Sequence, residues 1–268
     1  MKVYVGKIAW SSSGWQGFPK KIEDYKKDVK RSGFDYVREY KYAHEWFNFY
    51  EDFDEKYYFG FFWKGEVEKD SIICWVSKDV NDGKMKLIGF YVEAESPSKE
   101  EREKIKNKKN SLKPQYYKEL GAKTKKEFLV WHPNIKAPKE KSFKLKEPIP
   151  INQKEVYGIT LGQVNVFGCR HKNIKKLKKW LEENQEYLKV EKEKIDYLLK
   201  KLEEVSENIN KKNKNSYQLN KITNIINAIN TKPFIILSGI SGTGKTQIAR
   251  IISAGIIKDK KKNKNKGG

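Results

Sequence analysis

The chain has 268 residues, enough for about two domains, and its formal net charge of +22, carried almost wholly by Lys, suits contact with a polyanion such as nucleic acid. Apolar residues make up only 37% while aromatics reach 13%, which excludes a chain disordered throughout. No apolar run nears the roughly 18 residues of a membrane span, the first thirty residues hold no signal-peptide core, and Cys74 and Cys169 are too few for a disulfide framework or a Cys-rich zinc site. A soluble, reduced, cytoplasmic protein without a membrane partner is expected. The same Lys surplus, mixed with Asn and Glu, also fits a biased or thermophile composition.

In chain order, Val3–Trp10, Tyr57–Trp63, Ser71–Val76, Lys86–Glu95, Glu127–Trp131 and Val164–Cys169 read as strands from their β-branched and aromatic content. Asn81-Asp82-Gly83 is a hairpin signal between two of them. Ile22–Ser32 and Ser98–Asn107 read as helices, the second with Ser98 as N-cap and Glu101 three residues on. The pattern predicts an α+β domain over 1–170, a small mixed β-barrel with peripheral helices. Its carboxylates, cysteines and histidines show no spacing diagnostic of catalysis.

From Asn173 to about Asn210 the character changes. Ile174, Leu177, Leu181, Asn184, Leu188, Glu191, Ile195, Leu198, Leu202, Val205 and Ile209 form a heptad seam with two polar interruptions. Read as one helix, this 173–210 connector would extend about 54 Å. The alternative is an antiparallel helical hairpin broken near Asn184. Lys211–Ser216 then reads as a polar hinge.

Residues 217–257 open with an amphipathic helical stretch, Leu219 to Ile229, followed by the short apolar strand Phe234–Ser238 and a helix from Lys245 to Ile257. Between the last two lies Gly239-Ile240-Ser241-Gly242-Thr243-Gly244-Lys245-Thr246, which matches the GxxxxGK[ST] phosphate loop at every fixed position. Glycines let successive N–H groups converge on phosphate oxygens, and the helix adds its positive end. Lys245 would reach the β/γ-phosphates and the Thr246 hydroxyl would bind Mg²⁺. GTP or ATP with Mg²⁺ is therefore the expected cofactor. Only residues 247–268 follow, and 258–268 form a basic tail with no means of packing. The acidic second motif of a working NTPase is missing from them, so the expectation is an incomplete P-loop α/β domain, inactive in hydrolysis alone.

The stretch Lys232–Arg250, with its Gly-Ile-Ser-Gly-Thr-Gly-Lys-Thr wording, resembles the start of the AAA+ domain of McrB-type proteins, the GTP-driven subunits of modification-dependent restriction systems. The resemblance implies a variable N-terminal domain that reads modified DNA, a homo-oligomeric AAA+ ring, and an McrC-type nuclease partner. The paired strands Ser71–Val76 and Leu87–Ala94, with Phe128–Trp131 and Pro138 later, are similar in order to the PUA-like group that includes the EVE and YTH readers.

A flipped, methylated base is commonly held between aromatic faces. Trp10 and Trp15 flank Ser11-Ser12-Ser13-Gly14, and Trp46 lies in an aromatic run, where the PUA-like resemblance implies the place of a cage Trp. These three are the candidate base cage, with core packing as the competing role for each, and the PUA-like resemblance implies N6-methyladenine or a methylated cytosine as the ligand. Trp63, Trp75 and Trp131 sit in or beside strand-like runs and are expected in the core. His44 is a candidate donor to a base edge. Two other readings are a PUA-like RNA-binding protein and a fragment of another AAA+ ATPase with an unrelated substrate domain.

Overall fold

The computed structural model describes residues 1–40, 43–112, 133–162 and 164–231. The chain divides into two compact units, Met1–Glu207 and Asn208–Gly268. The first is an α+β body built on a mixed sheet. Its strands are β1 (Val3–Ile8), β2 (Tyr57–Gly60), β3 (Ser71–Lys78), β4 (Met85–Ala94), β5 (Ile135–Pro138), β6 (Phe143–Pro150) and β7 (Val166–Gly168). Five of them form one sheet in the order β6-β4-β3-β1-β7, and β2 pairs with β5 in a separate antiparallel ribbon. A bridge between Glu95 and Lys136 ties the ribbon to the end of β4.

Local chemistry accounts for the centre of the sheet. β3 and β4 are joined through the expected Asn81-Asp82-Gly83 turn, where Gly83 takes φ +71° and the Asn81 N–H bonds Asp79 Oδ1 at 2.7 Å. β1 lies parallel to β3, which demands a crossover. Residues 9–70 provide it, with α1 (Ile22–Arg31), α2 (Asp35–Tyr40), two 3₁₀ turns (His44–Phe47 and Glu51–Phe53) and β2. Ile72–Val76 of β3 are all buried, as a central strand covered on both faces requires. At Gly89 a β-carbon would fall 2.3 Å from the Phe143 carbonyl oxygen, so only glycine lets β4 and β6 approach this closely.

Aromatic residues fill the interior. One cluster, including Trp15, Phe49, Tyr58, Trp75 and Tyr91, joins residues of the main sheet to residues of the ribbon. Another gathers Tyr25, Val29, Trp46, Phe47 and Phe59 around α1 and the 3₁₀ turns. α3 (Lys99–Ser111) begins on the expected capping box: Ser98 Oγ accepts from the Glu101 N–H at 3.2 Å, and the Glu101 carboxylate accepts from the Ser98 N–H at 2.7 Å.

The heptad seam folds back rather than running straight. α4 (Gln153–Val156) precedes α5 (His171–Glu183), α6 (Gln185–Leu188) and α7 (Lys192–Thr231). The break falls at Asn184, whose Nδ2 donates to the Trp180 carbonyl at 2.8 Å, and Lys189 closes α6 in a left-handed conformation, φ +49°. Seam residues Ile174, Leu177, Leu181, Leu188, Ile195, Leu198, Leu202 and Val205 are all buried within this one chain. The single extended helix is thus replaced by the broken alternative, and most of the expected 173–210 connector belongs to the first unit. Lys178 pairs with Glu203 at 2.8 Å across the break, and His171 Nδ1 lies 2.9 Å from the Ser206 carbonyl oxygen. Glu93, at φ +55°, accepts from the Tyr197 hydroxyl and from Lys141 Nζ at 2.7 Å, anchoring the start of α7 to β4. No helix among the described residues is long and apolar enough to cross a membrane.

Candidate functional site

The phosphate loop Gly239–Thr246, the strand and helix expected on either side of it, the 258–268 tail, the strand Glu127–Trp131 and His132 lie outside the described residues. Among the described residues no three His, Cys, Asp or Glu side chains gather as a metal site. Two open grooves of about 550 and 480 Å³ share Pro150, Ile151 and Asn152, and neither contains an expected cage residue.

The three cage tryptophans part company. Trp15 sits in a tight turn at φ +61°, is 1% exposed, and donates its indole N–H to the Ala9 carbonyl at 3.0 Å. Trp46, on the first 3₁₀ turn, is fully buried, donates to the Trp10 carbonyl at 2.8 Å, and meets Phe18 and Tyr25 edge to face. An indole with its N–H satisfied by backbone and its rings against other aromatics is packed core. These two residues therefore pin the backbone at Ala9 and Trp10 instead of walling an open cage. Trp10 alone keeps part of its surface in solvent. Its ring packs against Trp15 at 5.5 Å, with Lys86 Nζ 5.4 Å from the ring centre.

Trp75 is buried as expected, whereas Trp63 is 37% exposed. Trp63 follows β2 and leaves the strand with its indole N–H on Glu45. The Glu45 carboxylate is wholly buried and also accepts from the Tyr36 hydroxyl, so two aromatic donors grip one acid. Tyr36 and Phe61 stand at steep angles to Trp63, with centroids at 5.0 and 5.1 Å, and His44 lies between Phe61 at 4.9 Å and Tyr36 at 6.0 Å. Burial raises the Glu45 carboxyl and pushes the Tyr36 hydroxyl well above the usual range. Burial also pulls the His44 imidazole down to about 4, leaving a neutral ring at pH 7. Chemically this is a rigid aromatic rim around a shielded carboxylate. Sequence reasoning missed Glu45; the one available signal was an acid inside the aromatic run His44-Glu45-Trp46-Phe47.

The loop that carries Trp10 and Trp15 has its own anchor. Asp28 on α1 is 1% exposed, and its Oδ2 accepts from the Ser12 N–H at 2.7 Å and the Ser12 hydroxyl at 2.8 Å. Oδ1 has no hydrogen-bond partner among the described residues. Burial raises this carboxyl to about 6; the Ser12 bonds oppose the rise, Asp24 adds to it and Lys27 reduces it. The folded state thus holds a proton that the unfolded state releases near the ordinary value of 3.8. Stability conferred by that proton is complete below about pH 4 and is lost as pH rises through 6. It amounts to about 3 kcal/mol, an order-of-magnitude figure. Denaturant melts of wild type and Asp28→Asn between pH 4 and 7 check this: the difference between them should change across that window, and a pH-independent difference would contradict it.

No family model, curated protein or solved structure matches the chain.

Proposed function

We propose that this protein is the modified-DNA recognition and nucleotide-binding subunit of a modification-dependent restriction system of the McrB type. The observation that carries the reading is the Gly239–Thr246 loop, with a strand-like run before it and a helix-like run after it. Backbone N–H groups of the loop would converge on the phosphates, Lys245 would neutralise the β/γ oxygens, and the Thr246 hydroxyl would complete the donor set for a hard cation. When bound to the Thr246 hydroxyl, Mg²⁺ would supply positive charge that offsets the phosphates of GTP or ATP.

In this reading the first unit receives an extruded, methylated base. Its support is an aromatic-rich α+β body that leaves some indole surface in solvent, together with a net charge of +22. Lysines would supply salt-sensitive attraction to phosphate, and ring contacts would supply discrimination. A homo-oligomeric ring and an McrC-type nuclease subunit are the partners this reading implies.

The test is equilibrium binding of the full chain to duplexes that differ only by one N6-methyladenine or one methylated cytosine. A preference of at least about tenfold over unmodified DNA at fixed salt, equivalent to about 1.4 kcal/mol, is expected. Affinity should also fall steeply and linearly on a log–log plot of salt. Equal affinity for modified and unmodified duplexes would reject the reader role. Displacement of DNA by structured RNA at matched salt would favour the RNA-binding alternative.

A further inference from the structure

We infer that the exposed part of the Trp63 ring, framed by Tyr36 and Phe61 and held by Glu45, is the surface on which an unstacked nucleobase docks. The inference rests on the reading just given and adds the residues that carry it. Trp63 is the only exposed Trp among the described residues. Solvent exposure of so large an apolar ring contributes little to folding. Yet the ring is fixed in orientation by its bond to Glu45 and by two steeply angled neighbours. No described ring lies parallel on it, the geometry a stacked base would adopt.

The acid beneath this rim is expensive to bury. Glu45 is fully enclosed, and no Lys, Arg or His forms an ion pair with it among the described residues. A carboxylate removed from water without a counter-charge disfavours the fold, and here its return is the orientation of two rings, one of them facing solvent. Such fixing lowers the ordering cost when a ligand stacks. Glu45 is therefore a positioning residue: its oxygens are occupied by Tyr36 and Trp63, and the ligand meets the ring.

Two kinds of ligand suit an aromatic rim, a planar base or a methylated ammonium group. Charge separates them. The protein carries a surplus of 22 positive charges, which attracts a phosphate-bearing strand and repels a cationic side chain. Lys64, exposed and next in sequence to Trp63, adds a positive charge beside it, with its Nζ 5.5 Å from the Tyr4 ring centre.

The experiment uses the full chain and three labelled probes: a duplex with one N6-methyladenine, a duplex with one 5-methylcytosine, and a single-stranded oligothymidine. Fluorescence anisotropy at fixed salt gives the affinities. Trp63→Ala should weaken the best-bound probe by about 5- to 150-fold, and Trp63→Phe should weaken it less. Both variants take the indole N–H from the buried Glu45 carboxylate and should lose stability to the same degree, so the affinities are compared at a temperature where melts show both folded, and the Ala-against-Phe difference isolates the ring. Glu45→Gln should loosen the rim. In protein labelled with 5-fluorotryptophan, the ¹⁹F resonance absent from Trp63→Phe should shift and broaden in Glu45→Gln, and affinity should fall with it. An unmoved resonance would remove Glu45 from the proposal.

Wild-type affinity in Trp63→Ala, with modified-DNA preference intact, overturns the docking surface while leaving the recognition reading in place. No binding of any probe by the wild-type chain overturns both. Binding of a trimethyl-lysine peptide at this rim, without oligonucleotide binding, overturns the base in favour of a cation.

Discussion

Replacing Lys245 with Ala should weaken nucleoside triphosphate binding by about 10- to 150-fold, because a charge-assisted contact to phosphate is worth about 1.5–3 kcal/mol. Under the proposed reading, the loop's backbone N–H groups and the Thr246 hydroxyl would remain in Lys245→Ala. Binding should therefore fall without vanishing. Titration calorimetry with GTP and with ATP, in Mg²⁺-containing buffer, measures the loss and also ranks the two nucleotides. An unchanged affinity in Lys245→Ala would mean that the glycine-rich stretch is an ordinary turn and would take the nucleotide half of the proposed function with it.

Trp46→Ala should be the most damaging of the tryptophan truncations considered. Removing a fully buried aromatic from a packed core costs about 3–5 kcal/mol, with about 1 kcal/mol more for the lost bond to the Trp10 carbonyl. Against a total stability on the order of 5–15 kcal/mol, most of the margin would go. Trp63→Ala, at a part-exposed position, should cost less, about 1–3 kcal/mol for the acceptor left unpaired on the buried Glu45. Urea melts of the two variants side by side make the comparison. Near-equal midpoints would contradict the contrast between a structural indole at 46 and a surface indole at 63. The pairing also guards the binding experiments, since lost affinity in Trp46→Ala would report unfolding rather than recognition.

The elements legible in the sequence were those written in local terms. β1, β3, β4, the Asn81–Gly83 turn and the Ser98 cap each carry their own signal within a few residues. β6 was missed because Phe143–Pro150 alternates with Lys and ends in two prolines. At the edge of the sheet those features cost little, and they would be fatal in a central strand. The heptad seam was visible, but its fold was decided by the two polar interruptions. Asn184 marks the break after α5, and Glu191 immediately precedes α7.

The candidate site was harder to read for a different reason. Whether a Trp faces inward depends on which backbone carbonyl receives its N–H, and that is set by residues far away in the chain. Trp46 finds the carbonyl of Trp10, while Trp63 finds the side chain of Glu45. The surroundings of Trp15 and Trp46 left core packing and base stacking both open, and strand-like surroundings at Trp63 suggested burial. Tertiary context selected core packing at Trp15 and Trp46 and reversed the expectation at Trp63.

The position of β1 also constrains how the chain is made. β1 lies inside the sheet, between β3 and β7, yet it is synthesised well before either of them. Until β7 has been synthesised, one edge of Val3–Ile8 stays unpaired and available to other chains. Nascent molecules should therefore depend on chaperones, and the yield of folded protein should respond to the speed of translation between β3 and β7.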